Sequence, residues 1–408
     1  MAISNLTNAK KAKSDEFYTQ YGDIQKEIEA YLEYNPDIFR GKVVYCNCDD
    51  PFESNFFRYY VLNFNKLGLK QLITTSYKPS PIANTQLQLF GYDKTLTKAK
   101  GRPKINANKF IIKEVRDIDG DGEFNLKDVA MQLRANKHNE WTPLEGDGDF
   151  RSDECIDLLK QSDIVVTNPP FSLFREYIKQ LFDCNKKILI IGNMNAITYK
   201  EVFPLIKNTK LWLGPSIRSG DREFQVPDDY PVTAAGWRID ENGKKYLRIK
   251  GVRWFTNLDH GRRHQPLPLM TMEENMKYSK HKEINGKKNY DRYDNYDAIE
   301  VPFTDAIPSD YSGVMGVPIS FLDKYSPDQF DILGATQRGC HDEVPDTKKY
   351  DDYWEVTQDG KKTGSSGGKT NENANLVGND GKKNYFINKK GRIIQSAYQR
   401  IFIKHKEK

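Results

Sequence analysis

With 408 residues, of which 38% are hydrophobic and 12% aromatic, the chain is long enough for two domains and apolar enough for a sizeable core. No apolar run approaches a membrane-spanning helix and the opening MAISNLTNAKKAKSDE has no apolar signal core, so a cytoplasmic location without a membrane partner is expected. Net charge is only +5, and five cysteines without C-x-x-C spacing indicate neither a disulfide frame nor a zinc site, leaving them as small buried fillers.

In chain order, strands alternate with helices. Residues 42–48 (KVVYCNC) read as a strand. Asp50 followed by Pro51 fits a helix N-cap and a proline at the first helical position, for a helix that runs toward Leu67 and stops at Gly68. Residues 72–77 (LITTSY) form a second strand, 164–167 a later one and 187–192 (KILIIG) another, which leads into a helix near residues 199–207. Residues 211–213 and 252–255 read as closing strands of the same sheet. Such a βαβ series predicts an α/β domain on a twisted parallel sheet with right-handed crossovers. Beyond about Gln265 the chain turns polar and rich in Lys, Tyr, Asn and Asp, which divides it into residues 1–265 and 266–408. Within the second part, residues 360–381, with GSSGG at 364–368, read as a flexible loop. Residues 384–388 and 393–403 read as a basic hairpin. Nine Lys and Arg residues between 382 and 408 face a lone Glu407, and Arg262, Arg263 and His264 form a second cluster. Basic stripes of this kind are footprints of phosphate contact, and a solvated tail reads the same way.

Residues 162–177 read SDIVVTNPPFSLFREY, and the Asn168-Pro169-Pro170-Phe171 tetrapeptide is the signature of enzymes that methylate a conjugated amino nitrogen. The lone pair of such an amine is delocalised into its ring, so the nitrogen attacks nothing until acceptors hold its N–H bonds. Residues 163–167 (DIVVT) form a buried parallel strand, and Asn168 sits at its carboxyl end, where ligands of open α/β sheets collect. Each proline denies the helical region to the residue before it, so the loop is extended and stiff. Asn168 then offers its side-chain carbonyl and Pro169 its backbone carbonyl, while Phe171 supplies a face for an unstacked base, a contact of about 1–3 kcal/mol. Read alone, Asn-Pro-Pro is also an ordinary turn between the strand and an amphipathic helix at 173–182. No cysteine follows a proline, which argues against a covalent cysteine mechanism of the cytosine-C5 type.

The chain resembles the EcoRI-type adenine-specific (N6) DNA methyltransferase family from its first fifty residues to about Gly339. The blocks that carry the resemblance are residues 14–21 (SDEFYTQY), 43–51 (VVYCNCDDP), 146–152 (GDGDFRS), the NPPF motif, 197–203 (ITYKEVF) and 313–325 (GVMGVPISFLDKY), in one order. The resemblance implies a Rossmann-like S-adenosylmethionine-dependent methyltransferase sheet with a C-terminal α+β target-recognition region. It implies S-adenosyl-L-methionine as cofactor, no metal, double-stranded DNA as substrate, a monomer, and a restriction endonuclease acting on the same site without a stable complex. Carried over residue by residue, Asn168, Pro169, Pro170 and Phe171 are catalytic. Tyr18 and Thr19 occupy the segment that meets the methionine end of the cofactor, and Asp149 and Phe150 the segment that holds its adenine. Asp49 and Asp50 stand at the family's acidic position, here without the usual glycines, so a cofactor-ammonium contact and a helix cap both remain open for them. The second strand ends in Thr-Ser-Tyr rather than an acid, so no ribose ligand is named. The target resembles GAATTC or a relative, and base-reading residues are not assigned.

Residues 117–128 (DIDGDGEFNLKD) follow an EF-hand loop except that Asp128 replaces the final Glu, and a strand precedes them where a helix belongs. A calcium loop and an acidic surface turn are the two readings. Related tetrapeptides occur in enzymes that methylate RNA bases or protein glutamine, which would carry a glycine-rich first loop and no long polar C-terminal region. A DNA-binding accessory protein of the same fold would need neither Asn168 nor the prolines.

Overall fold

The computed structural model describes residues 19–48, 54–77, 107–118, 120, 128, 131, 138–218, 221–226, 236–336, 344, 347–381 and 383–407. The chain divides into two compact units, residues 1–196 with 212–261, and residues 197–211 with 262–408.

The strands of the first unit, in chain order, are β1 (Val43–Cys46), β2 (Gln71–Thr75), β3 (Asn108–Ile112), β4 (Glu140–Pro143), β5 (Ile164–Thr167), β6 (Lys187–Asn193), β7 (Trp212–Leu213), β8 (Asp221–Val226), β9 (Trp237–Ile239), β10 (Lys245–Lys250) and β11 (Val252–Thr256). Eight of them form one sheet in the order β4-β3-β2-β1-β5-β6-β11-β7. Residues 211–213 and 252–255 thus supply strands of the large sheet, as their pattern indicates. The predicted parallel pairing holds across β2-β1-β5-β6. Outside those four the sheet is antiparallel, with β3 and β4 on one flank and β11 and β7 on the other. The parallel strands β1 and β5 are buried throughout, as parallel strands require cover on both faces. The antiparallel β11 is equally buried, whereas β4 at the edge is half-exposed.

The helices depart from the sequence reading at their ends. The helix predicted from Asp50 starts instead at Ser54, whose hydroxyl accepts the Phe56 and Phe57 N–H groups at 3.1 and 3.3 Å. The helix Asn55–Leu62 breaks at Asn63, resumes for Phe64–Leu67 and stops at Gly68 in the left-handed region. Serine caps as well as aspartate does, and Ser54 satisfies two of the orphan N–H groups. The second helical stretch expected near residues 199–207 shortens to Phe203–Lys207 and belongs to the second unit.

In the second unit the strands are β12 (Ile299–Glu300), β13 (Met315–Pro318), β14 (Phe330–Ala335), β15 (Tyr353–Val356), β16 (Lys362–Ser366), β17 (Asn375–Val377), β18 (Tyr385–Asn388), β19 (Ile393–Ser396) and β20 (Arg400–His405). They build a four-stranded sheet, β12-β13-β20-β14, and a five-stranded sheet, β16-β15-β18-β19-β17. The expected C-terminal hairpin exists as β18 with β19, Phe386 opposite Ile394. Its second strand ends at Ser396, however, and β20 crosses to the other sheet, where Ile401, Phe402 and Ile403 are wholly buried. Residues 360–381, read as a flexible loop, carry β16, a 3-10 segment and β17. Their asparagines act as structural pins: Asn371 accepts the Tyr350 N–H at 2.8 Å and donates to the Tyr350 carbonyl at 2.9 Å, and Asn375 donates to the Thr370 carbonyl at 2.7 Å. No helix among the described residues is long and apolar enough to cross a membrane.

Candidate active site

β5 delivers the tetrapeptide. All four of its residues are buried, and Thr167 lies level with Ile190 of β6. The chain leaves the strand through Asn168, only 8% exposed, into buried Pro169 and Pro170. Pro170 takes φ −55°, which its ring fixes, and ψ 122°. The Leu173 N–H then bonds to the Pro170 carbonyl at 3.0 Å, and a single 3-10 turn, Phe171–Leu173, feeds the helix Phe174–Asp183. That helix buries Phe174, Tyr177, Ile178 and Leu181, one stripe at helical spacing. Phe171 is partly buried and packs on the core. Phe224 is a core residue at 2% exposure and presents no face to a ligand.

Three residues to which the sequence assigns no role, Asn47, Thr167 and Tyr177, lock this corner. The Thr167 hydroxyl donates to the Asn47 carbonyl, and the Tyr177 hydroxyl donates to the Asn47 side-chain oxygen. Asn47 follows β1 directly, so the ends of the two central strands are stitched together beside Asn168. The Tyr177 ring also meets Phe150 edge-on, with centroids 5.0 Å apart at 88°. The available signal was the 174/177/178/181 spacing, which places Tyr177 inward without saying what its hydroxyl reaches.

The Gly-Asp-Gly-Asp turn is held by close packing. Gly148 takes φ 77°, and a Cβ there would lie 2.0 Å from the Ser76 carbonyl oxygen just beyond β2, so only glycine lets the turn approach the strand end. Asp149 and Phe150 therefore stand at the carboxyl edge of the sheet. The Asp149 carboxylate accepts the Arg151 backbone N–H at 2.9 Å and its guanidinium at 2.8 and 2.7 Å. These bonds, with Glu176 at 3.0 Å, raise the guanidinium pKa and keep it charged. Phe150 is 4% exposed, under the Arg151 guanidinium at 5.3 Å.

Of the remaining site residues, Tyr18, Asp49 and Asp50 lie outside the described residues. Thr19 is buried just before the helix Tyr21–Tyr34, its carbonyl held by the Asn55 amide at 2.7 Å, and its hydroxyl oxygen is buried with no hydrogen-bond partner among the described residues. An orphaned hydroxyl in this segment fits a polar ligand group arriving beside it. In the acidic loop, the buried Asp128 carboxylate accepts the Ile118 N–H at 2.8 Å and Asp117 accepts that of Gly120 at 2.7 Å, so both are engaged by backbone; Asp119 and Asp121 lie outside the described residues. Cys46 and Cys155 are buried and Cys48 and Cys184 partly so, and none of these four is in a disulfide; Cys340 lies outside the described residues.

A large mixed α/β sheet with Asn-Pro-Pro-Phe at the carboxyl end of a central strand is a methyltransferase-like fold. The family described as "Adenine-specific methyltransferase EcoRI" matches residues 5–406, and the chain belongs to it. It is 45% identical to "Type II methyltransferase M.EcoRI" of Escherichia coli over 330 residues, covering 80% of this chain and 88% of that one. It is 37% identical to "Type II methyltransferase M.MgeORF184P" of Mycoplasma genitalium over 335 residues, 81% of this chain and 86% of the relative. With "Type II methyltransferase M.MpnI" of Mycoplasma pneumoniae the identity is 35% over 332 residues, 80% and 84% of the two chains. No solved structure matches the chain.

Proposed function

We propose that this protein is a site-specific DNA adenine-N6 methyltransferase of a restriction-modification or related system, with S-adenosyl-L-methionine as methyl donor. The observation that carries the reading is Asn168-Pro169-Pro170-Phe171 at the carboxyl end of β5 in a member of this family. Thr19 and the Asp149-Phe150 turn, with Tyr18, Asp49 and Asp50, are the residues to hold the cofactor, and the unpartnered Thr19 hydroxyl suits that role. The bound cofactor supplies a methyl group already activated on a sulfonium, so positioning and electrostatics suffice for transfer.

The protein's own part is to prepare the nitrogen. A target adenine is drawn out of the duplex, at an unpairing cost of a few kcal/mol, and stacks on Phe171. The Asn168 side-chain carbonyl and the Pro169 backbone carbonyl accept the two N6–H bonds, which draws the lone pair out of the ring and toward the methyl carbon. Asn168 and Pro169 would hold the N6–H groups while the bound cofactor supplies the methyl group, and the one proton in surplus after transfer would pass to solvent. Preorganisation explains the stiff backbone: two prolines and the Asn47 stitching hold the acceptors in place. Residues 266–408 are the proposed target-recognition region, and the protein acts as a monomer on the site a cognate endonuclease would cut, without a stable complex with it.

Modified-base sequencing of DNA from cells expressing the protein tests the reading and gives the target sequence. N6-methyladenine in one recurring context is the expected result. Transfer of radiolabel from the cofactor to RNA or protein, with none to duplex DNA, overturns it.

A further inference from the structure

Between β7 and β11 the chain leaves the large sheet, forms the separate sheet β8-β10-β9, and returns. The register locates its root. Asn193, the last residue of β6, pairs with Val252 at the start of β11, and its side-chain amide donates to the Lys250 carbonyl at 3.0 Å. The Met194 N–H reaches the Gly251 carbonyl at 2.6 Å, and Gly251, at φ 69°, is the single residue between β10 and β11. The small sheet therefore springs from the carboxyl edge of the large one, two strands across from β5 and Asn168. At about 4.8 Å between neighbouring strands, the lateral separation is about 10 Å.

Pairing sorts its two faces. On one, Arg238 holds Glu223 at 2.8 Å and lies 4.5 Å over the Tyr246 ring, while Arg248 holds Asp221 at 3.1 Å. On the other, Phe224 pairs with Leu247 and Leu247 with Trp237, so one apolar strip runs from the buried core outward. Phe224 is 2% exposed, but Trp237 is 47% and Ile239 51% exposed. Two large apolar side chains on a short exposed strand call for a partner. Charge narrows which one. Across residues 221–226 and 236–250, six Lys and Arg side chains outnumber four carboxylates, two of which, Asp221 and Glu223, are already held by arginines.

We propose that the β8-β10-β9 sheet is a wedge against the DNA duplex beside the target adenine, with Trp237 stacking on the bases that the departing adenine uncovers. The inference rests on the reading of the protein as an adenine-flipping methyltransferase. Removing a base from the stack exposes two neighbouring base faces, and an apolar side chain set between base steps compensates for part of the lost stacking. An indole covers such a face best among side chains, and the wedge stands on the same sheet edge as the acceptors that capture the base.

The test uses the full-length protein and a duplex carrying the site that sequencing identifies, in two forms: target adenine paired with thymine, and the same adenine mismatched so that it is already loosened. Trp237→Ala should lower kcat/KM on the paired duplex by about fivefold or more, the range that loss of one base–aromatic stack covers. Trp237→Phe should restore most of the rate, and the Ala deficit should shrink on the mismatched duplex, where less unpairing remains to be compensated. A 2-aminopurine at the target should brighten less with the Ala variant than with wild type. Wild-type rates for Trp237→Ala on the paired duplex overturn the proposal. So does an equal deficit on both duplexes, with or without a drop in melting temperature, which would make Trp237 structural. Loss of concentration-dependent self-association with unchanged catalysis would assign the patch to a second copy of the chain and also overturn it. If the wild-type protein methylates no adenine, the parent reading fails first, and the two failures are distinct.

Discussion

Glu27 offers the sharpest quantitative test of the first unit. It lies on the helix Tyr21–Tyr34 with no exposed surface, accepts the Tyr31 hydroxyl at 2.8 Å and the Ser216 N–H at 2.9 Å, and so ties the helix after the cofactor segment to the chain leaving β7. Burial pushes its carboxyl up from 4.5 to about 7, with the Ser216 and Tyr31 hydrogen bonds opposing the rise. The sign follows from proton counting. Between those two values the folded protein holds a proton that the unfolded chain has released, so the contribution of Glu27 to stability is full below pH 4.5 and is lost as the pH rises to about 7. At about 1.4 kcal/mol per pH unit, the crossing removes about 3 kcal/mol. Glu27→Gln keeps the shape and removes the proton. Denaturant unfolding of wild type and Glu27→Gln at pH 5 and pH 8 should therefore show the variant gaining on wild type by about 2–3 kcal/mol at the higher pH. A difference between the two proteins that is constant across this range refutes the reasoning.

Three further outcomes follow from the site and the second unit. Asn168→Ala should lower single-turnover methyl transfer by about 100-fold or more, the usual effect of deleting one preorganised transition-state partner, while cofactor and DNA affinities hold; lost cofactor binding with normal turnover would refute the assignment. Gly148→Ala places a Cβ 2.0 Å from the Ser76 carbonyl in a left-handed residue, strain of about 1–2 kcal/mol before the clash is counted, and calorimetry should find weaker S-adenosylmethionine binding, with unchanged affinity as the contrary result. Lys389→Gln combined with Lys390→Gln should lower the slope of log affinity against log salt by about 2 if both exposed ammonium groups meet phosphates, and an unchanged slope removes them from the DNA surface.

The central strands were legible because each is short, apolar and bounded by turn residues, so β1, β2, β5 and β6 fall within a residue or two of where the pattern put them. Strand direction was less so. Nothing in residues 252–256 distinguishes an antiparallel return from another crossover strand; the direction comes from Gly251, which joins β11 to β10 with no room for a crossover helix. Composition misled in the second unit. Its asparagines and glycines suggested a loop at 360–381, yet asparagine side chains pin the backbone there. Its basic residues also differ in kind. Arg400 is a buried partner of Glu300 at 2.5 Å and Arg392 holds Asp294 at 2.6 Å, so neither ion pair belongs to an open phosphate-binding stripe.

The site divides along the same line between local and distant information. Asn168 to Phe171 announce themselves because four consecutive residues carry both the chemistry and the stiffness it requires. The groups that hold them do not, since Thr167 and Tyr177 reach Asn47 across 120 and 130 residues of chain. No spacing rule encodes a contact of that span. It exists only once β1 and β5 are neighbours, which makes the parallel pairing of those strands a condition of the acceptor geometry as well as of stability. Asn47→Ala thus bears on function from outside the motif: it would leave the tetrapeptide intact and the Tyr177 hydroxyl buried without its acceptor, a loss of about 1–3 kcal/mol that falls on the loop bearing the acceptors.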